Sequence, residues 1–432
     1  MPNQPATPPG SSPRKISWDL LRVVAVCSVV LQHITHQAPI NHPELGPYPF
    51  VLPLQFGAST LMVISAYFVC VTVRRGDTGK WLAKRLARVL PAYVVAVLAT
   101  YLVSRLATAA FNHYHFHGPL GLLFGDPVPD GGGGSALPWY LPSLQDLVGN
   151  LLMVQAWSPS LHWIDASYWT LPAQVMAFTC AALLWRRGRW SGHRLPALLW
   201  TLVVVPLVIR FLWRGDDAAQ WIKSAFDGLA MHRVALFGAG VAIWLWSAKR
   251  MSGWHLGAYL VAVLVAQDAH AYFTDTQSTV AFGVILLAIV AAAGGPDWNV
   301  GPVRRLAPVI TFLAGISYGL YLVNQELGFV LARLLLDQGV GAWWRVIICS
   351  AVAILLGWLM TRLVERPANQ WLTTPAAARA IAAQPQDGSS GRSPLSPVPL
   401  PRPASQASMS GAGPLISVEL AVATGTRISQ LR

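Results

Sequence analysis

SWDLLRVVAVCSVVLQHITHQ, residues 17–37, is the stretch on which the fold turns. Roughly 20 mostly apolar residues are what a helix needs to cross the hydrocarbon of a bilayer. Nine further stretches of that kind follow, near 51–73, 89–108, 167–185, 195–213, 228–247, 254–271, 277–294, 308–329 and 344–364, the first lying near 17–36. The whole chain agrees: 432 residues are 54% apolar and only 11% charged, less than half of the roughly 25% usual in a soluble domain. Mean hydropathy is +0.47. So few charges cannot keep a soluble surface of this size solvated, which excludes an ordinary cytosolic enzyme and, for most of the chain, disorder. The expectation is an all-α polytopic membrane protein of about ten transmembrane helices.

The net charge of +13 is then a matter of topology rather than of nucleic-acid binding, because cytosolic loops of membrane proteins collect Lys and Arg. One set of joints holds Arg14, Lys15, Arg74, Arg75, Lys80, Lys84, Arg85, Arg88, Arg186, Arg187, Arg189, Arg194, Lys249, Arg250, Arg304, Arg305, Arg362 and Arg366. The opposite joints hold Arg105, Arg210, Arg214, Lys223, Arg233, Arg333 and Arg345. The imbalance puts both termini in the cytosol and implies an even number of spans. No small-x-small cleavage site follows the first stretch, so it is expected to be retained. Residues 1–15 are Pro- and Ser-rich and 373–432 are Ala-, Ser- and Pro-rich; both are expected to be disordered, flanking a membrane domain at 16–372. Gln145–Trp157 is apolar but too short to span and suits an interfacial or re-entrant piece. The four cysteines sit in apolar runs without ligand spacing and read as reduced packing residues. HYHFH at 113–117 lacks an accompanying carboxylate or cysteine, so no metal site is expected, and the glycines at 131–134 read as plain flexibility.

An ionisable group inside hydrocarbon costs at least a few kcal/mol unless it is paired or hydrated, so each one is a functional candidate. Arg22 and His33 lie eleven residues apart. On a helix they share one face to within roughly 20° and stand about 16 Å apart along the axis. Asp19, three residues before Arg22, can pair with it or cap the helix. A neutral imidazole takes and returns a proton near pH 7, which marks His33. His36 is one turn away. In KWLAKRLARVLPAY (80–93) the side chains of Arg85 and Arg88 project to one side, and the guanidinium fork suits phosphate as well as a topology signal. DASYWTLPAQVMAF (165–178) brings Trp169 and Gln174 to the fourth stretch. GISYGLYLVNQE (315–326) brings Ser317, Tyr318, Tyr321 and Asn324 to the ninth, all able to line a polar cavity.

Taken in order, these pieces resemble the membrane-bound acyltransferase family 3, the integral-membrane O-acyltransferases. Arg22 and His33 match the family's Arg-x10-His pattern, in an opening WDLLRVVAV like its LDGLRGIA. Arg85 and Arg88 match its Arg-x-x-Arg pattern. SYWTLPAQ resembles its W-S-L-x-x-E segment, GISYGLYLVNQ its ISYxxYLxH segment, and ERP at 365–367 its closing motif. The resemblance covers about residues 16–370. It departs at Gln174, where the family usually has Glu, and at Asn324, where it often has His.

The resemblance implies a multi-pass protein of the cell (plasma or inner) membrane. It would pass an acyl group, usually acetyl, from cytosolic acyl-CoA to a hydroxyl of a glycan, lipid-linked sugar or secreted metabolite, without a metal. Arg85 and Arg88 would hold CoA phosphates, Arg22 would guide the pantetheine arm, and His33 would either deprotonate the hydroxyl directly or carry the acyl group in between. Tyr318, Tyr321, Asn324 or Gln174 would supply oxyanion donors. The competing classes are a membrane transporter or exporter, which would move substrate without acyl-CoA, and a catalytically altered partner subunit, which the two departures leave open.

Overall fold

The computed structural model describes residues 15–73, 77–129, 139–186, 194–215, 217–271 and 275–374. The segments expected to be disordered, apart from Lys15, Thr373 and Thr374, fall outside the described residues, as do Arg14, Arg74, Arg75, Arg187, Arg189 and the glycine run. Lys15 belongs to the folded body: its ammonium donates to the carbonyls of Ala292 and Gly295, the position at a helix C-terminus that favours a cation.

The described chain is almost entirely helical. Ten of its helices fall on the ten apolar stretches: α1 (Ile16–Gln32), α2 (Gly57–Val73), α3 (Thr78–Phe111), α4 (Thr170–Arg186), α5 (Arg194–Val208), α6 (Val234–Ser247), α7 (Gly253–Ala269), α8 (Thr276–Gly294), α9 (Gly301–Val323) and α10 (Ala342–Met360). Six are long and apolar enough to cross a membrane on length and composition, or seven if Gln220–Gly228 and Met231–Ser247, bent by 40°, count as one. The others are short for a physical reason: α2, α4 and α7 have 17 residues each, about 25 Å, at the lower limit of what spans. The sole described β structure is a two-residue pairing of Tyr114–His115 with Val128–Pro129.

Three boundaries differ from expectation. Residues 51–56 carry no regular secondary structure instead of a helix; Pro53 disfavours the helical region for the residue before it, and Leu52 and Gln55 give their N–H groups to the hydroxyls of Thr35 and Ser278. The third stretch starts early, so Lys80, Lys84, Arg85 and Arg88 ride on α3 itself. The ninth stops at Val323, and a separate helix, Glu326–Asp337, follows.

Around α1 pack α2, α9 and, more lightly, α8; α6 lies on α2 and α10 on α9. Small residues let the backbones touch, as helix packing in lipid favours. A Cβ at Gly240 of α6 would strike the Val63 carbonyl, and one at Gly357 of α10 would come within 2.7 Å of the Leu320 backbone. Large apolar side chains elsewhere face outward, among them Leu287, Leu363 and Val261. Trp213, Trp221, Trp254, Trp343, Trp344 and Trp371 are exposed near helix ends, the position of an aromatic belt. Cys27, Cys70 and Cys349 pack inside and all four cysteines are free thiols, but Cys180 is exposed and is not a packing residue.

Candidate active site

α1 is capped from a distance. The N–H groups of Ile16 and Ser17 donate to the carboxylate of Asp297, which answers the need of a helix N-terminus for acceptors. Asp19 is therefore not the cap; it is buried and paired with Arg22 at 3.2 Å. The Arg22 guanidinium lies over Phe68, and Arg85, across from it on α3, lies over Trp81 and Phe178. Arg85 donates to Thr72 Oγ1 at 2.8 Å and to the Phe68 carbonyl. Arg88 is 58% exposed and pairs with Glu365 at 3.1 Å, so the ERP segment meets the Arg-x-x-Arg segment in space. Arg22, Arg85 and Arg88 come close enough for their charges to act on one another. The fold thus brings Arg22 to the Arg85–Arg88 pair, some sixty residues further along the chain, at the end of the bundle where α1 and α3 begin.

α1 runs on to the far end. At His33 its regular winding gives way to a π-helical turn, His33–Gln37, the kind of local widening that recurs at functional sites. His33 Nδ1 lies 2.7 Å from Asn324 Oδ1. The Asn324 amide nitrogen donates to the carbonyls of Leu320 and Tyr321 at 3.2 and 2.8 Å, so the side chain can turn only its oxygen toward the ring. An oxygen accepts; Nδ1 therefore carries the proton and Nε2 keeps a lone pair, the tautomer of a base. The same amide closes off the last carbonyls of α9 and explains why that helix stops there. Asp165 takes the N–H of Glu326 with one carboxylate oxygen and those of Ser167, backbone and hydroxyl, with the other. The DASYW segment is thereby stitched to the break after Asn324.

His33 lines a cavity of about 600 Å³. It lies between the C-terminal ends of α1, α7 and α9 and the N-terminal ends of α2, α4, α6 and α8, which is the end of the bundle opposite the arginine group. Of the residues singled out in the sequence, His33, His36, Trp169 and Tyr321 line it. Tyr321 has its hydroxyl engaged, donating to the Ser167 carbonyl and accepting from Thr170. Tyr318 donates to the Val89 carbonyl and Ser317 to Ala314 of its own helix. Gln174 is half-buried away from the cavity lining. The buried amides that line the cavity, with no described side chain or backbone group on them, are Gln32 and Gln325. Their sequence neighbours His33 and Asn324 drew attention instead. Arg233, which the sequence offered only as an outside cation, lines the cavity too, with its guanidinium 4.6 Å over the Trp169 ring.

The short helix Leu144–Leu151 holds the adjoining wall. Ser143 and Asp146 form a reciprocal capping box, and Tyr93 of α3 donates to the Asn150 carbonyl. Burial would raise the Asp146 carboxyl, but donors from Tyr140, His162 and Ser143 outweigh it and hold the group below the usual carboxylate range.

Compared with known proteins, residues 15–362 match the family model of an acyltransferase domain. A nodulation protein 10 of Rhizobium leguminosarum bv. viciae is 24% identical over 392 residues, which are 85% of this chain and 97% of that protein. No solved structure matches.

Proposed function

The chain belongs to this acyltransferase family, and from that membership we propose that it carries an acyl group, acetyl in the first instance, from cytosolic acyl-CoA to a hydroxyl presented at the far end of the bundle. The acceptor is a sugar, a cell-surface glycan or a secreted metabolite. Ten crossings with both termini in the cytosol, in the cell membrane, complete the reading, which rests on the asymmetry of basic residues between the joints.

Arg85, Arg88 and Arg22 form the polyanion-binding end, where CoA phosphates compete with Glu365 for Arg88 and the pantetheine arm passes along α1. At the other end His33 Nε2 takes the proton of the acceptor hydroxyl. The oxygen attacks the thioester carbonyl, the C–S bond breaks, and the CoA thiolate leaves with the proton that His33 returns; an ester and CoA–SH result. Gln32 and Gln325 are the amides able to donate to the developing oxyanion. The observation that supports this most is the fixed tautomer of His33, held by Asn324 inside the cavity. It also weighs against a catalytically altered subunit, since Asn324 does the positioning that a second histidine would do.

The test follows CoA release from radiolabelled acetyl-CoA by protein in nanodiscs, slow hydrolysis included. His33→Ala is expected to lower release by about 10²–10⁴ fold while leaving the protein monodisperse. Equal release by wild type and variant would defeat the assignment of the base, and flux of an acceptor without any acyl-CoA would favour a transporter.

A further inference from the structure

Seven cations lie at the joints away from the basic end, and three of them have evident structural work. Arg105 is consumed by loop carbonyls, Arg333 by Glu44 and Asp337, and Arg345 by the Leu45 carbonyl and the Tyr48 ring. Arg210, Arg214 and Arg233 are different. They gather round His232 and His270, close enough for their charges to act on both rings. Asp227 takes Arg214 in a two-pronged pair at 2.8 and 3.1 Å. Among the described residues no carboxylate pairs with the other two. Arg210 reaches only the Ala271 carbonyl at 3.5 Å and Arg233 only Gln267 at 3.4 Å.

This corner is also where hydrogen bonding is incomplete. Of the buried side-chain polar atoms without a partner among the described residues, four lie here: Nε of Arg214 and of Arg233, and Nδ1 of His232 and of His270. Such groups cost roughly 1–3 kcal/mol each when left unmade, and guanidinium N–H groups left over suit an oxygen anion. Space is present. Arg233 lines the cavity of His33; a second cavity of about 450 Å³, lined by Gln155, Trp163, Asp227 and His232 but by none of the three arginines, shares Ala166 and Trp169 with it. Trp169 is the partition, with Arg233 stacked on it. Arg210 sits in a π-helical turn, Ile209–Trp213.

We infer that Arg233, backed by the charges of Arg210 and Arg214, binds an oxyanion, a carboxylate or a phosphate, and that the acceptor brings it. The acceptor would place its reacting hydroxyl at His33 and its anionic part against Arg233 in the same cavity. The second half of this inference rests on the acyl-transfer reading of the same cavity; the first half does not.

Calorimetry on the full chain in phosphatidylcholine nanodiscs tests it with D-glucuronate, its neutral methyl ester and inorganic phosphate. Saturable binding of glucuronate is expected, at least about tenfold tighter than the ester, with phosphate competing. Arg233→Gln should abolish it and Arg233→Lys restore part of it. Arg210→Gln, which removes a guanidinium with one long contact, should weaken it even if Arg233→Gln disturbs the fold. Equal affinity for acid and ester, no saturable heat from either anion, or unaltered affinity in monodisperse Arg210→Gln and Arg233→Gln would overturn the site. If discs containing phosphatidylglycerol suppress glucuronate binding, a lipid headgroup supplies the anion and its assignment to the acceptor is overturned. CoA release is followed in the same wild-type samples. Release without anion binding defeats the oxyanion site alone, whereas anion binding without release defeats the acyl-transfer reading and leaves the site standing.

Discussion

Asn324 steers His33 with a neutral oxygen. A carboxylate there would stabilise the imidazolium as it forms; an amide fixes the ring and its tautomer and leaves the charge to other groups. Asn324→Leu is therefore expected to lower kcat about tenfold with little change in KM for acetyl-CoA, and Asn324→His to recover most of it. A matching loss of both parameters, without rescue, would mean that Asn324 serves the fold alone. Arg105 illustrates the opposite use of a charged group. It is 1% exposed, and its guanidinium donates to the carbonyls of Leu122, Pro142 and Gly125 at 2.5–2.6 Å. Arg105→Leu leaves those carbonyls unanswered and should cost about 3 kcal/mol or more, read as a lower Tm of the detergent-solubilised protein. The sequence could mark His33, Arg22 and Asn324 because polar side chains in apolar runs stand out. It could not separate Arg105 from Arg233, since both are single cations near span ends and only the surrounding carbonyls tell them apart.

At the scale of elements, the segments before and after α4 and α9 hold the site. The capping box of Leu144–Leu151 depends on the ionised Asp146. Its folded-state pKa is lowered, so the stability it contributes is present above the unfolded value, about 4, and is lost as pH falls through that value toward the folded one. Asp146→Asn should lower Tm at pH 7, by about 2 kcal/mol of stability, and the gap between variant and wild type should close in scans below about pH 4. A gap that persists in acid would show that shape, not charge, is what Asp146 supplies. The ten long apolar helices were legible, because a 20-residue apolar run has few alternatives; short ones such as Gln220–Gly228 and Glu326–Asp337 were not. Helix ends were not. The start of α2 depends on hydroxyls from Thr35 and Ser278, and the end of α9 depends on a side-chain amide and on Asp165, more than 150 residues away in sequence.

Across the whole molecule the chemistry is divided between two ends. The arginines lie where α1 begins and the histidine where it finishes, about 16 Å along the axis. The aromatic rings beside Arg22 and Arg85 hold those cations at that end of the bundle, where the proposed polyanion would bind. KM for acetyl-CoA should accordingly rise several-fold between about 0.05 and 0.5 M salt. In the Arg85→Gln/Arg88→Gln double variant KM should start higher and depend less on salt. Identical salt curves for the two proteins would place the CoA contact elsewhere. The two-ended arrangement was readable in the alternation of basic joints, but the second cavity was not, because Gln155, His232 and Trp169 meet there from three separate segments.

The cavity around His33 has a pharmacological consequence. Its walls are the far ends of the helices, so under the proposed topology a compound shaped to it would arrive from outside the cell. Such an inhibitor would need neither to permeate the membrane nor to survive efflux pumps, and it would not have to outcompete the millimolar nucleotides of the cytosol. Resistance would have to arise at His33, Asn324 or the wall residues themselves, where, on the proposed mechanism, change would also damage acyl transfer.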